Sequence, residues 1–179
     1  MLRFVSSKVL PATLWAAFLI SPAAADMRLT SPEVKEGQTL GNAQVLKGMG
    51  CTGENISPAL AWSDVPEGTK SFIVTMYDPD APTGSGFWHW SVFNIPGEMR
   101  NLRAGQVPVE AVTARNDFSQ NSFAGACPPE GQTHHYIISL YAMPDARLPI
   151  DETASSAMVG FFATNGALGS ARITASLGR

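Results

Sequence analysis

Asp78-Pro79-Asp80-Ala81-Pro82-Thr83-Gly84-Ser85-Gly86-Phe87-Trp88-His89-Trp90 places two carboxylates, a histidine and two indoles between segments that read as strands. Upstream, Ser71-Phe72-Ile73-Val74-Thr75-Met76-Tyr77 is rich in β-branched and aromatic residues, and Ser91-Val92-Phe93-Asn94-Ile95 follows downstream in the same vein. Two prolines that lack N–H groups, then Thr-Gly-Ser-Gly, cannot continue a ladder and must turn, which carries His89 back toward Asp78. A second polar cluster repeats the arrangement. Cys127-Pro128-Pro129-Glu130-Gly131-Gln132-Thr133-His134-His135-Tyr136 is a proline-glycine turn feeding histidines into the apolar run Tyr136-Ile137-Ile138-Ser139-Leu140-Tyr141.

Outward from these blocks, frequent prolines and glycines between short apolar runs predict a mainly β fold, with strands near 59–63, 71–77, 90–95, 111–114, 134–143 and 171–177. One helix is expected, beginning near Asp151, whose carboxylate can cap the first N–H groups, and stopping at Asn165-Gly166. Residues 97–123 are polar and irregular. Residues 1–25 carry Arg3 and Lys8 ahead of an apolar run from Val9 to Ile20, then Ser21-Pro22-Ala23-Ala24-Ala25, the pattern of a secretory signal peptide. The run is shorter than the ~20 residues a membrane span needs, so the mature protein is expected to carry no transmembrane segment. Residues 26–179 are then one domain, since no linker or repeat divides them.

Of 12 basic and 15 acidic residues, Arg3 and Lys8 fall in the leader, which leaves 10 against 15 and a mature net charge of −5. That balance excludes a nucleic-acid partner held by charge. The chain has three histidines, all within the two polar blocks. Asp78 and Asp80 read on their own as ordinary turn residues binding local N–H groups. Beside histidines, a carboxylate can instead fix a tautomer and favour the charged ring, giving donors suited to a phosphate or carboxylate oxygen. His135 alternates out of phase with His134 and Tyr136 and should face away; by the same alternation Trp88 and Trp90 should lie opposite His89. Two histidines and an aspartate are also a zinc ligand set, but no His-Glu-x-x-His motif occurs, and no Gly-x-Ser-x-Gly elbow supports a serine hydrolase.

Asp-Pro-Asp-Ala-Pro at 78–82, His89-Trp90 leading into a strand, and Pro128-Pro129-x-Gly131 with His134-x-Tyr136 resemble the phosphatidylethanolamine-binding protein family, also called the Raf kinase inhibitor protein family, in its bacterial branch. Gly53-Glu54-Asn55-Ile56-Ser57-Pro58 with Trp62 matches the upstream part of that pattern. The resemblance covers about residues 27–179 and implies a central antiparallel sheet, a second small sheet, one or two peripheral helices and an anion-binding pocket at one end. It implies a pocket lined by Asp78, Pro82, His89, Pro129, His134 and Tyr136, with no metal or other cofactor. It also suggests a cis peptide between Ala81 and Pro82, as tight turns favour.

The family fold would bring the loops of Cys51 and Cys127 to the same end of the sheet. In an exported protein with two cysteines the expected state is a Cys51–Cys127 disulfide; two buried thiols are the alternative. The function these readings imply is that of a periplasmic or secreted, non-enzymatic protein binding a small anionic ligand or phospholipid head group. A hydrolase or metal-assisted phosphoesterase using His89 and His134 is the rival. Modulation of a partner protein is associated with the wider family, although the short link from 82 to 89, and His135 where many relatives carry arginine, argue against kinase inhibition.

Overall fold

The computed structural model describes residues 26–179; the expected signal peptide lies outside them. In chain order the elements are β1 (Arg28–Thr30), β2 (Lys47–Gly48), β3 (Cys51–Thr52), β4 (Leu60–Ser63), β5 (Ser71–Asp78), β6 (Phe87–Pro96), β7 (Asn101–Leu102), β8 (Val112–Thr113), β9 (Thr133–Met143), α1 (Ser156–Gly166) and β10 (Gly169–Gly178). The main sheet has the order β10-β9-β5-β6-β8, and all its pairings are antiparallel. A three-stranded sheet, β1-β4-β7, and the hairpin β2-β3 complete the strands. The mainly β architecture with two unequal sheets is as the sequence implies.

Strand β5 lies at the centre of the main sheet and is covered on both faces, which is why its residues read as a continuous apolar run rather than an alternation. Phe72, Val74 and Met76 point to one face, where Leu29, Leu60, Trp62 and Leu102 of the small sheet pack with Trp90, Tyr136 and Ile138. Ile73 points to the other, against Val159 and Ala163 of α1 together with Phe93. Each buried side chain of this size contributes about 1.5–3 kcal/mol, so the two half-cores fix the register of β5 and with it the position of Asp78 at its end.

The helix begins later than the sequence suggests. Asp151 Oδ1 instead accepts from the Thr153 N–H (2.9 Å) and hydroxyl (2.6 Å), closing a turn of its own. Backbone bonds from Arg115 N–H to the Ala154 carbonyl and from Ser156 N–H to the Arg115 carbonyl hold the next residues out of helical conformation. Ser155 then caps the helix, its Oγ accepting from the Met158 N–H at 3.2 Å. Gly160 is the contact point with the sheet: a Cβ there would sit 2.8 Å from the indole of Trp88.

Candidate functional site

The loop from Pro79 to Gly86 turns because Asp78 organises it. Asp78 Oδ1 accepts from the Asp80 and Ala81 N–H groups at 2.9 and 3.0 Å, and the Thr83 N–H donates to the Ala81 carbonyl at 2.8 Å. These bonds close the turn with every peptide in the trans form, so the expected cis bond at Ala81–Pro82 is absent; no described peptide is cis. The turn is completed by glycine. Gly86 has φ +70° and its missing side chain leaves room for the Tyr77 hydroxyl, which donates to the Ser85 carbonyl at 2.8 Å.

The other oxygen of Asp78, Oδ2, accepts from Nδ1 of His134 at 2.7 Å, both residues being 3% exposed. Nε2 of His134 meets the side-chain oxygen of Gln132 at 2.9 Å. Gln132, an ordinary polar residue of a turn, carries no signal in the sequence that would have singled it out. Asp80, by contrast, turns outward: its Oδ2 accepts from both the backbone N–H and Nδ1 of His135 at 2.7 Å, and these bonds hold its carboxyl below the usual range. His135 thus faces away from Asp78, as the alternation predicts.

His89 reaches the site by an irregularity. Met76 pairs with Trp90 and Tyr77 with Trp88, leaving His89 as an extra residue in β6, a β-bulge that turns its ring onto the face of Asp78 and Tyr136. Its ring lies 5.3 Å from that of Tyr136. The expectation from simple alternation is therefore half wrong: Trp88 lies on the opposite face under α1, but Trp90 shares the core of Tyr136. Around His89 stand Phe87 at 5.1 Å and Phe118 at 6.3 Å between ring centroids. This apolar surround holds the imidazole below its ordinary pKa, against the opposing pull of the Ala124 carbonyl and Asp78. Nδ1 of His89 donates to the Ala124 carbonyl at 2.9 Å.

A cavity of about 200 Å³ opens between these groups, walled by Asp78, Ala81, Pro82, Thr83, Phe87, His89, Cys127, Pro129, His134, Met49 and Phe118. Five of the six expected residues line it. Tyr136 lies behind His89, fully buried, and its hydroxyl makes no hydrogen bond, although burial and the nearby Asp78 carboxylate push the phenol well above its usual pKa. Two wall residues come from stretches that the sequence left blank. Phe118 is held by Asn116, whose Oδ1 accepts from the Phe118 and Gln120 N–H groups at 3.0 Å; the Asn116-Asp117-Phe118-Ser119 turn signature was the clue available. Met49 tops the β2-β3 hairpin, 73% exposed. That hairpin is tied to the rim by the Cys51–Cys127 disulfide, with 6.0 Å between Cα atoms, so the expected pairing is present in place of buried thiols.

Larger surface clefts, of about 420 and 480 Å³, lie beside Pro66 and beside Phe123, and neither contains a histidine. Among the described residues no three His, Cys, Asp or Glu side chains gather in a metal-binding group, and no helix is long and apolar enough to cross a membrane.

A mainly β protein with one small sheet packed on a larger one, and a histidine-lined cavity at the end of the larger sheet, is the class this geometry defines. The chain belongs to the phosphatidylethanolamine-binding protein family, whose model matches residues 30–178. It is 46% identical over 170 residues to the UPF0098 protein YbcL of Escherichia coli K12, covering 90% of this chain and 93% of that one. To YbhB of the same organism it is 49% identical over 155 residues, covering 83% and 98%. The crystal structure of Escherichia coli YbcL, described as a member of the mammalian PEBP family, superposes with a TM-score of 0.84 at 45% identity, covering 87% of this chain and 99% of that one.

Proposed function

We propose that this chain is an exported, non-enzymatic binding protein that takes a small phosphate-bearing group, such as a phospholipid head group, into the Asp78–His89–His134 cavity. The observation that carries the reading is the cavity itself: mostly apolar walls converge on two imidazoles and one carboxylate. Few polar groups in an apolar recess are the mark of a site that orients a ligand. At about 200 Å³ it falls below the roughly 300–1,000 Å³ of drug-sized sites and suits a small group. The name of the family supports a phospholipid head group among the candidates.

Among the described residues the walls offer no free thiol or hydroxyl nucleophile. Cys127 is oxidised, the Thr83 hydroxyl is given to the Gly86 carbonyl, and the Tyr136 hydroxyl is buried. This favours binding over covalent turnover. Export is supported by the leader pattern of residues 1–25 and by the disulfide, which persists in oxidising compartments.

Calorimetric titration of the mature protein with inorganic phosphate and with phosphoethanolamine tests the site. Weak binding that is lost in His89→Ala and His134→Ala is the expected result, and binding unchanged by both substitutions refutes the assignment. Release of a phenol and inorganic phosphate from an aryl phosphate, with or without added divalent metal, would replace this reading with the hydrolase.

A further inference from the structure

We propose that the cavity distinguishes phosphate esters by their protons, taking a phosphomonoester together with one proton shared with His89 and disfavouring a phosphodiester, so that within the proposed ligand class it selects a free head-group monoester such as phosphoethanolamine over the diester of an intact phospholipid. This rests on the reading of the cavity as a phosphate site. The hydrogen-bond-donating side chains of the wall are already in use. Nδ1 of His134 is given to Asp78, its Nε2 meets the Gln132 oxygen, and the Thr83 hydroxyl is given to the Gly86 carbonyl. The prolines in the wall, Pro82 and Pro129, have no N–H. The side-chain donors of the wall are therefore committed.

What remains accepts. His89 donates through Nδ1 to the Ala124 carbonyl, so the neutral ring carries its proton there and leaves Nε2 as a lone pair on the cavity side. The groups facing this ring are Asp78 from β5, Tyr136 and His134 from β9, and Asp117 with Phe118 from the loop after β8. Asp78 and His134 are already paired with each other. Among the described residues, a fully ionised phosphate entering this recess meets side-chain acceptors and no unpaired cation, Arg179 at the rim being paired with Glu130 at 3.0 Å; that arrangement costs free energy unless a proton arrives with it.

One proton resolves the conflict. It lies between a phosphate oxygen and Nε2 of His89, whether written as P–O–H···N or as P–O⁻···H–N⁺, and it comes from solvent. A monoester, whose second ionisation lies near pH ~6, supplies such a site readily. A diester has no ionisable proton near neutral pH, and must protonate His89 in its desolvated setting without help.

Methyl phosphate and dimethyl phosphate, compared by calorimetry near pH 7.5 in two buffers of different ionisation enthalpy, test the inference. Expected are uptake of about one proton per methyl phosphate bound and an affinity for dimethyl phosphate at least tenfold weaker. Methyl phosphate affinity should rise up to about tenfold per unit as pH falls toward 6, and level off below, where the free ester is already protonated. In His89→Gln, an amide N–H replaces the lone pair, so proton uptake should vanish and the two esters should converge. Equal affinities with no buffer dependence overturn the inference and leave the phosphate site standing. Proton uptake that persists in His89→Gln also overturns it. Failure of both esters and of inorganic phosphate to bind removes the site and the inference together.

Discussion

Replacing Asp78 separates its two duties, because one oxygen holds the loop and the other holds His134. In Asp78→Ala the N–H groups of Asp80 and Ala81 lose their acceptor and His134 is left buried without its partner. A buried N–H left without its acceptor costs about 1–3 kcal/mol, and His134 and Asp78 are each only 3% exposed, so little solvent is available to compensate. Asp78→Asn should cost much less. Its amide oxygen can keep both loop bonds, and its N–H₂ can donate to Nδ1 of the other His134 tautomer, whose Nε2–H then points at the Gln132 oxygen already 2.9 Å away. The remaining loss is one charge-assisted bond, about 1–2 kcal/mol. Urea unfolding at pH 7.5 with the disulfide intact measures both values. If the two variants are equally destabilised, or if the alanine variant loses less than about 1 kcal/mol, the division of labour argued for Asp78 is wrong.

Other perturbations address separate parts of the structure. Reducing the disulfide should lower stability by about 4–5 kcal/mol in the chain-entropy model, since it closes a loop between cysteines 76 positions apart; denaturation midpoints with and without reductant measure this, and two free thiols in the unreduced, denatured protein would refute the bond. Gly160→Ala gains about 1 kcal/mol of helix propensity but drives a methyl group within 2.8 Å of the Trp88 indole, a clash worth about 1–3 kcal/mol. Net destabilisation with a shift in tryptophan emission is expected, and a raised melting temperature would contradict the contact. For pH, the folded pKa of His89 is depressed, so below about 6.5 the unfolded chain binds the extra proton. This residue should therefore make stability fall as pH drops from about 6.5 toward its folded pKa, by no more than about 1.4 kcal/mol per unit, and His89→Gln should flatten that limb.

Much of the fold is written in local chemistry. The runs 71–77 and 134–143 declare themselves because both faces of β5 and most of β9 are covered, and the turn between Asp78 and Phe87 follows from its prolines and glycines. Asp78, His134 and Pro129 belong to motifs whose neighbours in sequence are also neighbours in space. Position of His89 relative to Trp90 is different, because a bulge inverts the alternation of side chains and is set by pairing with β5, which no local pattern encodes. Met49, Phe118 and Gln132 escape for a related reason. Met49 is brought to the rim by a long-range bond, the disulfide, while Phe118 and Gln132 are held by short local bonds, to Asn116 and to His134, and meet the cavity only because the sheet places those partners there. The start of α1 was displaced in the same way, by hydrogen bonds to Arg115 far upstream.

The Cys51–Cys127 bond has a further effect, on what a protease can do to the molecule. The 76-position span it closes contains β4 through β8, including Asp78, the turn to Gly86, His89 and Phe118, and it also contains a loop whose Val109 is 98% exposed. A single cut anywhere between Thr52 and Ala126 divides the backbone yet leaves both pieces on one covalent skeleton. The strands carrying Asp78 and His134 lie on either side of Cys127 in sequence but stay paired through β5 and β9. A molecule nicked beside the exposed Val109 would thus persist as two disulfide-linked chains, with the strands that carry Asp78 and His134 still paired.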